Sequence, residues 1–114
     1  MFSLLRTIVQ EVNAARNLDQ ALEIIVRRVK EAIGVDVCSI YLNDNGAREL
    51  LLMASDGLNP ESVGTVTLSW EEGLVGLVAE RAEPVNLENA PAHPRFRYFP
   101  ETGEERYHAF LGVP

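Results

Sequence analysis

The sequence predicts an α+β fold: a central antiparallel sheet, with N-terminal helices on one face and a short helix and loop closing the other as a lid. Three observations predict it. Residues 3–34 carry two amphipathic helical stripes. Residues 35–68 carry three short apolar runs separated by turn signals, Asn43-Asp44-Asn45-Gly46 and Asp56-Gly57. Residues 69–96 combine a short capped helix, a short extended run and a loop bounded by Pro91 and Pro94. With 114 residues, 46% of them hydrophobic, the chain is one domain with enough apolar material for a core.

The first helix is expected over residues 3–15, with Leu5, Ile8, Val9 and Val12 as one narrow apolar edge. That edge suits the next helix or the same helix of a second subunit. The second helix starts at Asn17, an N-cap with Gln20 three residues on, and ends at Gly34 as a left-handed cap. Leu18, Ala21, Leu22, Ile25, Val26, Val29 and Ile33 face inward; Arg27, Arg28 and Lys30 sit late, where positive charge suits the helix dipole.

Residues 35–42 read as a strand apolar on both faces, one carrying Val37, Ser39 and Tyr41, the other Cys38, Ile40 and Leu42. The hairpin returns through residues 49–55, with Leu50, Leu52 and Ala54 alternating against Leu51, Met53 and Ser55. A third strand is expected over residues 63–68.

Ser69 and Glu72 form a capping box, and Leu74, Val75, Leu77 and Val78 follow as a helical apolar stripe. Gly73 and Gly76 each weaken that helix by about 1 kcal/mol relative to alanine. The expectation is a close approach of the helix backbone to a sheet or a ligand. A short strand at residues 85–87 follows, then a turn at 100–103, a helical turn at 104–108 and a terminal strand begun at 109–114. A terminal apolar strand pairs with a following one, so the chain is expected to stop before a last strand and helix.

A net charge of -7 argues against nucleic acid and anionic membrane surfaces as partners. One cysteine, Cys38, excludes an internal disulfide and any multi-thiolate metal site, and a reduced cytoplasmic setting fits. The two histidines, His93 and His108, lack further ligands at metal spacing, and Ser39 lacks a nucleophile elbow. The residues define no catalytic constellation and imply no cofactor.

The element order resembles a GAF domain. Val37 to Leu42, Glu72 to Val78, Ala82 to Leu87, His93-Pro94-Arg95-Phe96 and Phe110-Leu111-Gly112-Val113-Pro114 more specifically resemble the N-terminal GAF domain of the nitrogen-type Enzyme I of the bacterial phosphotransferase system, a family of phosphoenolpyruvate-protein phosphotransferases. The resemblance implies that residues 1–114 are a single, C-terminally incomplete GAF domain. It also implies a sensor of nitrogen status, with glutamine or 2-oxoglutarate as effector, acting on catalytic domains of the same chain. The phosphorylated histidine of the family lies in a later domain.

For such an effector the carboxylate needs a cation, and Arg95, Arg97 and Arg106 are the candidates near the lid. Ser39 and Tyr41 share the strand face turned to the expected chamber, with Asn86 and Thr65 as polar partners. The rival expectation is a homodimerising interaction module driven by the first helix, without a ligand.

Overall fold

The computed structural model describes residues 2–97 and 109–114, without the side chains of Phe2 and Leu4. The turn expected at 100–103, the helical turn at 104–108, and Arg106 with them, lie outside the described residues.

Two helices open the chain, α1 (Phe2–Asn13) and α2 (Leu18–Ile33). The Asn17 side chain accepts from the Gln20 amide at 2.9 Å, and Gln20 Oε1 accepts from the Arg16 amide at 2.6 Å. The box thus closes one residue upstream of the N-cap. Gly34, at φ 74°, donates its N–H to the Lys30 carbonyl and ends α2. On α1, Ile8 and Val12 are half-buried while Leu5 and Val9 are 55% and 48% exposed, so the expected single edge splits into two sides. Arg28 on α2 binds both carboxylate oxygens of Glu11 on α1, its Nε lying 3.0 Å from Oε2.

β1 (Cys38–Asp44) and β2 (Glu49–Asp56) form the hairpin, and β3 (Thr67–Ser69) pairs antiparallel with β2. The Asp44 carboxylate accepts from the amides of Gly46 and Ala47 and shapes the turn. Ile40 pairs with Ala54, but Tyr41 pairs with Leu52, leaving Met53 as the extra residue of a bulge. This corrects the strict alternation expected for β2. Residues opposite one another share a face, so Ala54 sides with Ile40 while Leu52 sides with Tyr41. Ala54 and Met53 accordingly pack with Leu22 and Val26 of α2. Leu50, Leu52, Leu58 and Leu68 are all buried, and Leu50 pairs with Leu68 across the strands.

The third strand is shorter than expected. Gly64 donates to the Leu52 carbonyl at 2.7 Å and Leu52 donates to Val66 at 3.0 Å, but residues 63–65 are folded as a turn rather than extended. β1 likewise begins at Cys38 and not at residue 35.

The lid side holds α3 (Gly73–Arg81), β4 (Val85–Leu87) and β5 (Phe110–Gly112). Leu74, Leu77 and Val78 bury themselves against Val85 and Ala90, with Leu87 and Phe110 at the margin. β5 pairs antiparallel with β4, so the described strands form a three-stranded sheet, β1-β2-β3, and a two-stranded sheet, β4-β5. The domain is therefore an α+β assembly with α1 and α2 on one side of an antiparallel sheet and the short helix and loop on the other.

The two glycines of α3 have different reasons, and at Gly76 the expected close approach to the sheet is met, at the end of β3. Gly73 sits at φ 65°, a conformation that other residues adopt only with strain. A Cβ on Gly76 would stand 2.7 Å from the Trp70 carbonyl oxygen and 2.8 Å from that of Ser69. The helix folds back onto its own entry turn.

Candidate functional site

That entry turn forms one rim of an open cleft of about 670 Å³. One wall is Asn59, Glu61 and Ser62, from the 3-10 turn Pro60–Ser62 and the residue before it. Thr65, Val66, Thr67, Glu72 and Arg97 complete the lining. The cleft thus brings together three segments that are separate in the chain. Its volume lies within the range of small-molecule sites, roughly 300–1,000 Å³. A smaller groove of about 290 Å³ lies along the β1–β2 hairpin, between Leu42, Leu50 and Thr67.

The capping box at the rim forms, but around the turn and not the helix. The Ser69 hydroxyl accepts from the Glu71 amide at 3.3 Å, and Glu72 Oε1 accepts from the Ser69 amide at 3.2 Å. The helix begins only at Gly73, with Glu72 as its N-cap residue. The other oxygen of Glu72, Oε2, accepts from Arg97 Nη1 at 2.6 Å. The Arg97 and Glu72 side chains are 59% and 34% exposed, so this ion pair contributes about 0–1 kcal/mol to stability.

Arg97 belongs to a strap that includes residues 93–97 and is anchored further in. The Arg95 guanidinium donates from Nη2 to the Trp70 carbonyl at 2.7 Å and lies 3.8 Å from Glu80. Its Nε is buried and has no hydrogen-bond partner among the described residues. His93 Nδ1 accepts from the Arg95 amide at 3.0 Å, a local loop contact. Trp70 in turn donates from Nε1 to Asn43 Oδ1 at 2.7 Å, and Arg48 lies 4.6 Å above its ring. The strap is therefore tied through Trp70 to the hairpin.

Of the residues singled out from sequence, Thr65 and Arg97 line the cleft. Thr65 donates from Oγ1 to the Glu61 carbonyl at 3.0 Å, which fixes the turn. Ser39 shares a hydrogen bond of 2.9 Å with Ser55 across the hairpin. Tyr41 is half-buried opposite Leu52, Asn86 is exposed on β4 opposite Leu111, and Arg95 stands behind the rim on Trp70. Glu61, Asn59 and Thr67 also line the cleft and were not anticipated; Glu72 was anticipated only as a cap. The Asn59-Pro60 turn signal marked the wall as a loop but carried no hint of what it faces.

Cys38 packs at the α2 face of β1, where burial first, and the Asp56 carboxylate second, push its thiol above the usual range. It stays protonated at neutral pH. Among the described residues, no group of three or more His, Cys, Asp and Glu side chains is arranged to hold a metal, and no helix is long and apolar enough to cross a membrane.

The antiparallel sheet, with helices on one side and a short helix and loop on the other, defines an α+β module of GAF-like fold. The chain belongs to the GAF domain family, whose pattern it matches over residues 17–114. It is 48% identical over 114 residues to a protein of the phosphoenolpyruvate-dependent phosphotransferase system of Escherichia coli K12, covering 100% of this chain and 15% of that protein. It is similar in structure to the GAF domain of an Acinetobacter phosphoenolpyruvate-protein phosphotransferase, with a TM-score of 0.86 and 54% identity over 99% of this chain and 66% of that one. The corresponding GAF domain from Coxiella burnetii gives a TM-score of 0.88 and 52% identity, over 99% of this chain and 67% of that one.

Proposed function

We propose that this domain is the regulatory small-molecule sensor of a cytoplasmic phosphoenolpyruvate-protein phosphotransferase. The likeness to phosphotransferase GAF domains supports the setting. The observation that carries the sensing role is the cleft of about 670 Å³, with hydroxyls and an amide on its walls and a guanidinium on its rim. A nitrogen metabolite such as glutamine or 2-oxoglutarate has the groups this lining complements. Its carboxylate pairs with Arg97, and its carbonyl or amide meets Thr65, Thr67 and Asn59.

The domain transfers no phosphoryl group itself. Occupancy of the cleft repositions the strap at residues 93–97, and the change is read by catalytic domains of the same chain. Calorimetry with glutamine and 2-oxoglutarate tests this reading: heat and a raised melting temperature with either one support it. Neither signal with either metabolite overturns it.

A second reading, association through α1, rests on the exposed Leu5 and Val9. Those two side chains give a homodimer a short apolar seam that leaves Ile8 and Val12 packed within the protomer. Sedimentation of a Leu5→Glu, Val9→Glu variant tests it, and an unchanged dimer mass removes the seam.

A further inference from the structure

Asn45 is the only asparagine of the chain followed by a glycine, and the tip of the β1–β2 hairpin holds the pair exposed, in the loop of residues 45–48 between the paired Asp44 and Glu49. We infer that Asn45-Gly46 is a self-modification site. The Gly46 amide nitrogen attacks the Asn45 side-chain amide, the Asn43 and Asp44 side chains assist, and the folded hairpin deamidates with water as its only co-reactant.

Each part of the reaction has a residue in place. The nucleophile is the Gly46 nitrogen, unhindered by a side chain. Its N–H donates to Asp44 Oδ1 at 3.0 Å, within reach of a general base. The electrophile is Asn45 Cγ, whose oxygen Oδ1 accepts from Asn43 Nδ2 at 2.7 Å. That donor draws electron density from Cγ and stands where negative charge gathers as the nitrogen adds. Trp70 fixes the orientation of the Asn43 amide. An indole N–H only donates, and this one donates to Asn43 Oδ1 at 2.7 Å, which turns the Asn43 nitrogen toward Asn45.

The bond that forms joins Gly46 N to Asn45 Cγ, and the bond that breaks is Asn45 Cγ–Nδ2. The Gly46 proton passes to Asp44 and on to the departing nitrogen, which leaves as ammonia. Water then opens the resulting succinimide, at Cγ to give aspartate or at the Asn45 backbone carbonyl to give isoaspartate. Either product sets a new carboxylate beside Asp44, which already faces Glu49 across the hairpin, and like charges so placed weaken the pairing. Isoaspartate also lengthens the loop backbone by one methylene. The change is made in the hairpin that holds Trp70, and through it Arg95 and the strap.

The chain is incubated at neutral pH, folded in buffer and unfolded in guanidinium chloride, and conversion at Asn45 is followed by peptide mass spectrometry. The folded chain is expected to react about tenfold faster than the unfolded one, because only the fold holds nucleophile, base and donor together. Two variants divide the roles. Asn43→Asp keeps an oxygen for the Trp70 indole but brings no N–H to Asn45. Asp44→Asn keeps an acceptor for the Gly46 and Ala47 amides but loses the base. Each is expected to react about fivefold more slowly than wild type in the folded state, with Trp70 emission confirming that the hairpin is formed.

A faster reaction in the folded chain, slowed in both variants, supports the inference. A folded chain that reacts no faster than the unfolded one overturns it, leaving Asn45-Gly46 with the reactivity of any such dipeptide. An unchanged rate in either variant overturns it too, because a residue named as assisting would then have no part. The comparison of folded and unfolded wild type needs neither variant, so a variant that does not fold leaves that test standing.

Discussion

The indole N–H of Trp70 donates to the side-chain oxygen of Asn43 across 27 residues of sequence, at 2.7 Å. The bond ties the entry turn of α3 to the β1–β2 hairpin, and the Trp70 carbonyl then holds Arg95. Asn43→Ala is expected to cost about 1 kcal/mol, the net worth of one such bond. Because Trp70 is the single tryptophan, its emission reports the change directly. Urea unfolding followed by fluorescence checks both, and an unchanged midpoint and emission maximum would show that the tie contributes nothing.

Gly76 tests the close turn beneath α3. Alanine is the better helix former by about 1 kcal/mol, so propensity alone makes Gly76→Ala stabilising. The added Cβ would instead press on two backbone carbonyl oxygens at 2.7 and 2.8 Å, which cannot rotate away. The expected outcome is a net loss of about 1–3 kcal/mol in chemical denaturation. A gain would show that the turn relaxes freely.

The bulge at Met53 puts Leu52, fully buried, on the lid side of the sheet and Ala54 against α2. Leu52→Ala is expected to cost about 3–5 kcal/mol through the cavity left behind. Leu51→Ala, at a half-buried position, costs less. Ala54→Leu overpacks the α2 interface and costs about 1–3 kcal/mol. Equal losses at Leu51 and Leu52 would contradict the register.

The docking of α1 is expected to depend on pH. The hydrogen bond from Arg28, reinforced by its charge and that of Arg27, holds the Glu11 carboxyl below its ordinary range. A carboxyl depressed in the folded state favours folding above its unfolded value, and that contribution is lost as pH falls through the folded value. Protection of the α1 amides, taken relative to intrinsic exchange at each pH, should therefore fall as the solution is acidified below the usual carboxylate range. Glu11→Gln should show low protection in α1 already at neutral pH, with little further change in protection on acidification. An α1 equally protected in both proteins at neutral pH would rule out the pair as its anchor.

What was legible in the sequence was local. Asn17 with Gln20, Gly34, and the Asp44 turn act within four residues of themselves, and each forms as its chemistry dictates. The order of elements followed from periodicity and turn signals, and that order carried the family resemblance. The bulge was not legible, because alternation of Leu50, Leu52 and Ala54 fits a regular strand equally well, and only pairing with β1 shows the extra residue. The start of α3 was displaced for a related reason: Ser69 and Glu72 make the capping bonds, but the positive φ of Gly73 delays the helix. The cleft was half legible. Thr65 and Arg97 were chosen on chemistry, whereas Glu61 carries no motif, and the partnership of Glu72 with Arg97 spans 25 residues and depends on how the strap folds back.

The central claim is that a metabolite occupies the cleft between the 3-10 turn at Pro60–Ser62 and the entry to α3. The most direct measurement is a backbone amide NMR titration of the chain with glutamine and, separately, 2-oxoglutarate. Saturable shifts at Ser62, Thr65, Thr67, Glu72 and Arg97, with α1 silent, are predicted for at least one of them. Shifts absent from those five residues, or confined to α1 and the hairpin groove, would contradict it.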